Sequence, residues 1–500
     1  MAVDLLGEVV RAAREHASAT ALTDARGRSL TYRELSDRVL ATASRLRARG
    51  FEPGTRMLFS VRPGPASIVL ALGTVAAGGT VVFVDPGGGP ELFASRTGLA
   101  GPGWAAAESV LYAASAPGPL RALARRRGVL LPDYAALPVR HIRSGPWLPG
   151  VPWRAVSAKA LAKPVPDAPP PADDPEQEAV VVFTSGTTAA PKAVVHTRGS
   201  LGAALRALAV RCELGPSSRV HTDQMMLGLP ALVAGAHWSM PPYGFAPSAD
   251  PVALAAGLAG ATHTFLVPAD LAVILDRGVA LPGSLRQVLL GSAPVLPALL
   301  RRARKALPDV EFLAVYGMTE ILPVAIAGAE EKIGYDGDLL GAPLPGVRAR
   351  IADDGELLVS GPNLCRGYLG EPPLTEHATG DLARLDGGRI VLTGRKKDMI
   401  LRGKTNVYPG LYEPAIADLP GVAAAVLVGV PDEIGDERIV LVLTALPDAE
   451  PGLAHRVRAA LPGVIDASAL PDEVVVVPEL PVSGRNRKID RAALRASLTR

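Results

Sequence analysis

The chain reads as an α/β protein, with a large N-terminal domain of layered sheets and helices and a smaller α+β domain after it. Three observations carry that reading. Short runs of branched apolar residues alternate with helix-length segments of period 3.6, the pattern of parallel strands covered by helices. The chain holds 500 residues, more than one core usually organises, so two or more domains are expected. The texture changes at Thr393-Gly-Arg-Lys-Lys-Asp398, which places the boundary between two domains, 1–394 and 395–500.

Taken in order, the elements justify themselves. The N-terminal stretch carries acids at Asp4 and Glu8 and reads as an amphipathic helix, not a signal peptide. From residue 29 a helix sets Leu35, Val39, Ala43 and Leu46 on one face. Gly50 ends it, Pro53-Gly54 turn the chain and a strand follows. Gly64 to Val84 is 21 residues without a charge, long enough to cross a membrane. Gly78-Gly79 divides it, however, so a buried helix over Ser67–Ala77 beside a strand over Thr80–Val84 fits better. Asp85-Pro-Gly-Gly-Gly-Pro90 is a turn cluster without GxGxxG spacing. Residues 100–160 are rich in Ala, Arg and Trp and give no clear elements. Lys163–Glu178 is a proline-rich acidic connector.

Strands are expected at Thr264–Val267, Gln287–Leu290, Phe312–Val315, Arg350–Ile351 and Glu356–Val359. Gly387-Gly388 should turn a hairpin between Asp381–Leu385 and Arg389–Leu392. The small domain offers strands at Ala424–Val430, Arg438–Thr444 and Glu473–Val477.

Composition excludes several classes. Hydrophobic residues make up 48% and charged residues 20%, as in globular chains, and the net charge is +3. The basic residues form no stripe along the sequence, and Arg125-Arg126-Arg127 reads as a solvated helix face, so no nucleic-acid partner is expected. Cys212 and Cys365 stand far apart without a CxxC, which fits a reducing compartment and a cytoplasmic location. No HxxH, HxxxH or HExxH pair offers a protein-built zinc site. Arg402-Gly-Lys-Thr405 imitates the end of a Walker loop, but Asp398 stands where its first glycine would be. No GxSxG occurs.

Four short motifs bear chemistry. Val180 to Thr197 runs as an apolar strand that breaks into Thr184-Ser185-Gly186-Thr187-Thr188, with Lys192 four residues on. Hydroxyls and a glycine without bulk suit a loop that wraps phosphate oxygens, and a lysine adds a mobile point charge. A solvated turn leading into another strand is the plain alternative. Tyr316-Gly-Met-Thr-Glu320 sets a hydroxyl beside a carboxylate, fit for a phosphate contact next to a magnesium ligand. Thr379-Gly380-Asp381 ends on a carboxylate able to accept both hydroxyls of a ribose. Lys488 sits in the basic loop Arg485-Asn-Arg-Lys488.

In order and spacing these motifs, together with Leu30-Thr-Tyr-Arg-Glu-Leu35, Thr74-Val-Ala-Ala-Gly-Gly-Thr80, Gly291-Ser-Ala-Pro294 and Gly394-Arg-Lys-Lys-Asp398, resemble the adenylate-forming superfamily. That group holds acyl-CoA synthetases, peptide-synthetase adenylation domains and firefly luciferase. The resemblance covers nearly the whole chain. It implies attack of a carboxylate on the α-phosphorus of ATP with Mg2+, release of pyrophosphate, and displacement of AMP by a second nucleophile. The acceptor would be CoA or the phosphopantetheine of an acyl carrier protein.

It also implies roles. Thr184, Ser185, Gly186, Thr187, Thr188 and Lys192 would hold the β- and γ-phosphates. Ser292, Ala293 and Pro294 would line adenine, on which Tyr316 stacks beside Gly317. Thr319 would touch the α-phosphate and Glu320 hold magnesium, while Asp381 and Arg395 bind ribose. Lys488 would bridge the carboxylate and α-phosphate. The small domain would be mobile, rotating about Lys397. The acid would lie among His221, Met225, Met226, Gly291 and Val315, although a structural role is the plainer reading of His221.

The chain departs from the family in places. Ala189 and Ala193 replace loop glycines, and Gln224-Met225-Met226-Leu227-Gly228 replaces an aromatic or histidine gate. Leu411 stands where glutamate is usual, and Lys488 follows Arg-Asn-Arg. With the Asp85 turn cluster, these features resemble the branch of olefin-pathway β-lactone synthetases. Adenylation used for lactone closure, or for an oxyanion such as nitrite, is therefore a second expectation, and a catalytically weak nucleotide-binding homologue a third.

Overall fold

The computed structural model describes residues 4–84, 90–126, 131–183, 192–402, 405–407, 409–431, 437–465, 469–483 and 488–498. Among these, no helix is long and apolar enough to cross a membrane.

Two eight-stranded sheets organise the large domain. In the first, five neighbouring pairs run parallel through Thr20–Thr23, His237–Ser239, Arg219–His221, His263–Leu266, Gln287–Leu290 and Glu311–Met318. Antiparallel strands Ser29–Thr31 and Ile321–Gly328 close its two edges. The second has a parallel centre of Glu178–Phe183, Thr80–Phe83, Arg56–Ser60, Trp104–Glu108, Arg140–Ser144 and Val156–Ser157. Ala193–Thr197 and Gly367–Tyr368 extend it antiparallel. A third sheet, five-stranded and antiparallel, runs Asp338–Gly341, Arg389–Arg395, His377–Asp386, Glu356–Ser360 and Arg348–Ile351.

The helices form where the sequence demands them. Tyr32–Arg47 opens on a capping box between Thr31 and Glu34, and Leu35, Val39, Ala43 and Leu46 are all buried. The uncharged stretch becomes the helix Pro65–Ala76 and the strand Thr80–Phe83. Burial in the main core explains its apolar surface all round. This helix lies close on Tyr32–Arg47: a Cβ at Gly73 would stand 2.5 Å from the Thr42 methyl, so the contact requires glycine. The illegible stretch 100–160 supplies two inner strands of the second sheet. Trp104 is buried there with Ala105, Ala106 and Ala107, three small residues where both faces of the sheet are covered.

The small domain has its own core. Val422–Pro431 pairs antiparallel with Glu437–Ala445, which pairs parallel with Glu473–Val476. Helices Pro409–Ala417, Leu453–Ala460 and Arg491–Leu498 accompany this sheet. Both cysteines are free and buried, with thiols pushed up to about 12 at Cys212 and about 11 at Cys365, chiefly by burial.

Candidate active site

Parallel strands point their carboxyl ends the same way, and crevices beyond those ends are where open α/β sheets bind ligands. The expected site residues follow this rule. Gly291 and Ser292 come directly after the strand Gln287–Leu290, and Val315 and Tyr316 follow the parallel part of Glu311–Met318, which ends at Ala314. Met225 opens a helix four residues beyond Arg219–His221.

The Tyr316-Gly-Met-Thr-Glu320 motif is a tight hairpin. Met318 pairs with Ile321, leaving Thr319 and Glu320 as the two-residue turn. Gly317 is required there, because a Cβ would stand 2.7 Å from Leu322 Cδ1 and 3.0 Å from the Ile321 carbonyl. The turn is fixed from behind by His196, whose Nε2 lies 2.7 Å from the Thr319 carbonyl oxygen, with Nδ1 3.3 Å from Ser200 Oγ. Burial first holds the His196 imidazole below its ordinary value.

Two clusters form around this hairpin. In the first, Tyr316 Oη donates to Asp381 Oδ2 at 2.7 Å, and Arg395 Nε lies 2.7 Å from Asp381 Oδ1. Asp381 is 4% exposed and faces Arg395 directly across the antiparallel pair. Burial, then the neighbouring Asp381 carboxylate, push the Tyr316 phenol well above its ordinary range. Thr379 Oγ1 accepts from the Asp381 amide at 3.1 Å and donates to the Leu357 carbonyl at 2.8 Å.

The second cluster surrounds Glu320, which is buried. Tyr368 Oη donates to its Oε1 at 2.9 Å, and His377 Nε2 lies 4.0 Å from its Oε2. Lys192 Nζ sits 4.9 Å from the centroid of the Tyr368 ring, a cation–π distance. Burial first pushes His377 below its ordinary value, against the pull of Glu320 and Glu356. Glu320 fits a magnesium ion that arrives with a nucleotide. Such an ion needs one or two protein carboxylates and takes its remaining ligands from phosphates and water. No group of three or more acidic, histidine or cysteine ligands stands ready for a metal among the described residues.

The remaining expected residues are placed as follows. Ser292 has φ 67°, a left-handed conformation that costs a side-chain-bearing residue strain and tends to occur at functional positions. It is exposed beside Ala293 and Pro294. Gly291 lies against Phe265 and Val315, since a Cβ there would meet the Phe265 ring at 3.3 Å. Met225, Met226 and Val315 pack against the core that holds Phe265, Leu289 and Leu313. His221 is bound to structure: Nδ1 is 2.9 Å from Ser239 Oγ, and Nε2 faces Gly257. Lys488 is exposed in a short strand, in register with Ser483. Thr184, Ser185, Gly186, Thr187, Thr188, Ala189 and the Asp85 turn cluster lie outside the described residues. Their two flanking strands form an antiparallel pair, with Phe183 opposite Ala193.

Sequence reasoning missed Tyr368, His377, His196 and Phe265. His377 had one signal, two-residue alternation back from Asp381 through Thr379. Tyr368 had none beyond the preceding Arg366-Gly367.

The AMP-binding enzyme family profile matches residues 9–369, and the profile of its C-terminal domain matches residues 412–487. The chain belongs to the AMP-binding enzyme family. It is 30% identical to feruloyl-CoA synthase of an Amycolatopsis species, over 96% of each chain. It is 33% identical to indoleacetate–CoA ligase of Aromatoleum aromaticum, over 69% of this chain and 73% of that one. A much longer relative is a probable non-canonical nonribosomal peptide synthetase, CymA, of Salinispora arenicola. The match there is 31% identical over 64% of this chain and spans 4% of that protein. Among solved structures, the amide bond synthetase McbA of Marinactinospora thermotolerans superposes with TM-score 0.80 at 26% identity, over 99% of both chains. Like its relatives, this AMP-binding enzyme is an AMP-forming ligase with a large N-terminal and a smaller C-terminal domain.

Proposed function

We propose that this AMP-binding enzyme adenylates a carboxylic acid with Mg-ATP, releases pyrophosphate, and passes the acyl group to CoA or a carrier-protein thiol. One observation supports this most: motifs spread along the chain from Lys192 to Arg395 meet in two clusters around one hairpin, Tyr316 with Asp381 and Arg395, and Glu320 with Tyr368 and Lys192. Asp381 and Arg395 would take the ribose, and Tyr316, held by its hydroxyl, would offer its ring face to adenine. Lys192 and the Thr184–Thr188 loop would neutralise the outer phosphates. Magnesium on Glu320 would supply charge neutralisation at the phosphates when bound. Catalysis of this kind is positioning and electrostatics, since the nucleophile belongs to the substrate. The acid would lie among Met225, Met226, Gly291 and Val315, with His221 held by Ser239.

The contacts on either side of Lys397 support it as the pivot between a large and a small domain. Lys396 Nζ lies 2.6 Å from Asp354 and 3.0 Å from Glu356, while Asp398 lies 3.6 Å from Arg491. Rotation there would withdraw Lys488 once the adenylate has formed.

A second reading keeps adenylation and replaces the thiol. The end-to-end likeness to an amide bond synthetase and the loss of glutamate at Leu411 favour it. The test is pyrophosphate release on a panel of carboxylic acids, alone and with CoA, a carrier-protein thiol or an amine. Release coupled to consumption of CoA or the carrier thiol supports the first reading, and release with amide or lactone product the second. No release with any acid or oxyanion refutes both. Lys488→Ala should abolish release yet leave ATP binding within about 3-fold, the scale of a surface change.

A further inference from the structure

Segment 109–163 does not serve the site described above, yet it stands out in two ways. It holds nine lysines and arginines (Arg121, Arg125, Arg126, Arg127, Arg140, Arg143, Arg154, Lys159, Lys163) against one acid, Asp133, in a chain whose net charge is only +3. It also displays large apolar side chains. Of the four tryptophans, Trp104 and Trp238 are buried, whereas Trp147 is 54% and Trp153 is 79% exposed. Val110, Leu120 and Leu123 are exposed by 56%, 53% and 47%. In the sequence the arginine run reads as a solvated helix face; the helix Pro119–Arg126 also exposes Leu120 and Leu123.

The fold packs the described helices and loop of this segment together. The helix Ser109–Ser115 packs against Pro119–Arg126. The Trp147 loop lies on the same helix: a Cβ at Gly150 would stand 2.8 Å from Ala116 and 3.1 Å from Ala113. Val151, two residues before Trp153, is buried with Tyr112 of that helix. The strands Arg140–Ser144 and Val156–Ser157 that frame the loop are the outermost pair of the second sheet. Arg154 lies over the Trp153 ring at 4.4 Å, so charge and indole are presented together.

Single exposed apolar residues mean little, but a cluster of them amid unbalanced positive charge marks a contact surface. These side chains are exposed on two helices and a loop. Protruding tryptophans beside arginines suit a deformable interface, where indole rings sit at headgroup depth and cations meet anionic lipid. We propose that this edge of the large domain adsorbs to anionic lipid surfaces. The adsorption is peripheral and independent of the adenylation chemistry.

The test is co-sedimentation of the full chain with phosphatidylcholine vesicles, with and without phosphatidylglycerol, alongside tryptophan emission. Expected is binding to the anionic vesicles alone, with a blue shift, declining as salt is added. Arg154→Gln with Lys159→Gln should weaken it about 5-fold per charge removed. Trp147→Ser with Trp153→Ser should weaken it about 10-fold or more, with pyrophosphate release and melting temperature unchanged. Each tryptophan variant alone should show part of that loss, so a fold defect in the pair would not mask the answer. No adsorption to anionic vesicles at low salt overturns the proposal, as does equal adsorption to neutral ones. A concentration-dependent dimer or an acidic-protein complex that the tryptophan pair abolishes, without any adsorption, also overturns it and assigns the surface to protein.

Discussion

Tyr368→Phe separates two jobs that one side chain performs. The hydroxyl donates to Glu320 Oε1 at 2.9 Å, and the ring carries Lys192 Nζ at 4.9 Å. Phenylalanine keeps the ring, and with it a cation–π attraction of about 0.5–1 kcal/mol. It loses a hydrogen bond to a charged group, worth about 1.5–3 kcal/mol. With Oε1 satisfied by tyrosine, Glu320 presents Oε2; without it, either oxygen is free to turn and the carboxylate is less well aimed. At about 1.4 kcal/mol per decade, the loss should raise the magnesium concentration needed for half-maximal pyrophosphate release by about 10- to 100-fold, the usual range when the support of a metal ligand is removed. The rate at saturating magnesium should change far less. Tyr368→Leu, which also removes the ring, should lower that saturated rate by freeing Lys192. Calorimetric titration of Mg-ATP gives the same comparison without turnover. An unchanged magnesium dependence in Tyr368→Phe, with only a lower melting temperature, would refute the positioning role and leave the tyrosine a packing residue.

Three further outcomes follow from the structure. Asp4→Ala should cost about 3–5 kcal/mol in chemical denaturation, well beyond the ~1 kcal/mol of a lost helix cap. Asp4 accepts from the Leu6 amide and pairs with Arg198, side chains only 4% and 2% exposed, so the variant strips a buried guanidinium of its counter-charge and leaves it the Ala172 carbonyl and Gln177 Oε1. Burial leads the forces holding His141, His196, His221, His237, His263 and His377 below their ordinary value, so the unfolded chain binds more protons under pH ~6.5. Stability should therefore be level above that pH and fall, by up to ~1.4 kcal/mol per unit for each extra proton, as pH drops toward the depressed values. A melting temperature constant from pH 7.5 to 5.5, at about fixed ionic strength, counts against this. Gly291→Ala sets a methyl 3.3 Å from Phe265 and 3.7 Å from Val315, and should raise KM for bulkier acids about 10-fold while sparing that for ATP, read from an acid panel.

How much of this was legible beforehand divides along physical lines. Strands with continuous branched residues announced themselves: Gln287–Leu290 falls at its expected bounds, and the Gly387-Gly388 hairpin forms with both glycines at positive φ. Trp104–Glu108 did not, because alanine runs fit helix and strand equally and only the press of helices on both sheet faces decides. In the candidate site, Tyr316, Glu320 and Asp381 could be picked out by the chemistry of their motifs, and the structure brings Tyr316 and Asp381 together. Residues acting from outside a motif could not be. Tyr368 reaches Glu320 only because Gly367–Tyr368 adds as a last strand beside Ala193–Thr197, a contact made by topology. Likewise, the exposure of Trp147 and Trp153 beside buried Trp104 and Trp238 could not be read from the sequence, because only the packing of the sheet edge decides it.

The same distinction bears on where the two domains divide. The change of texture pointed to Arg395, a place where the sequence alters but no force is visible. Contacts give a different emphasis. Arg395 is tied to Asp381, and Lys396 to Asp354 and Glu356, all residues of the large domain's third sheet or the turn beside it. Asp398 is the first residue beyond them to meet the C-terminal helix, through Arg491, which also holds Glu413 at 2.6 Å. A rotation that kept the ribose-side pair Asp381–Arg395 intact would have to turn after Lys396. In the proposed mechanism this would leave the nucleotide's seat unchanged while the small domain turned, and one active site would serve two half-reactions without releasing the adenylate between them.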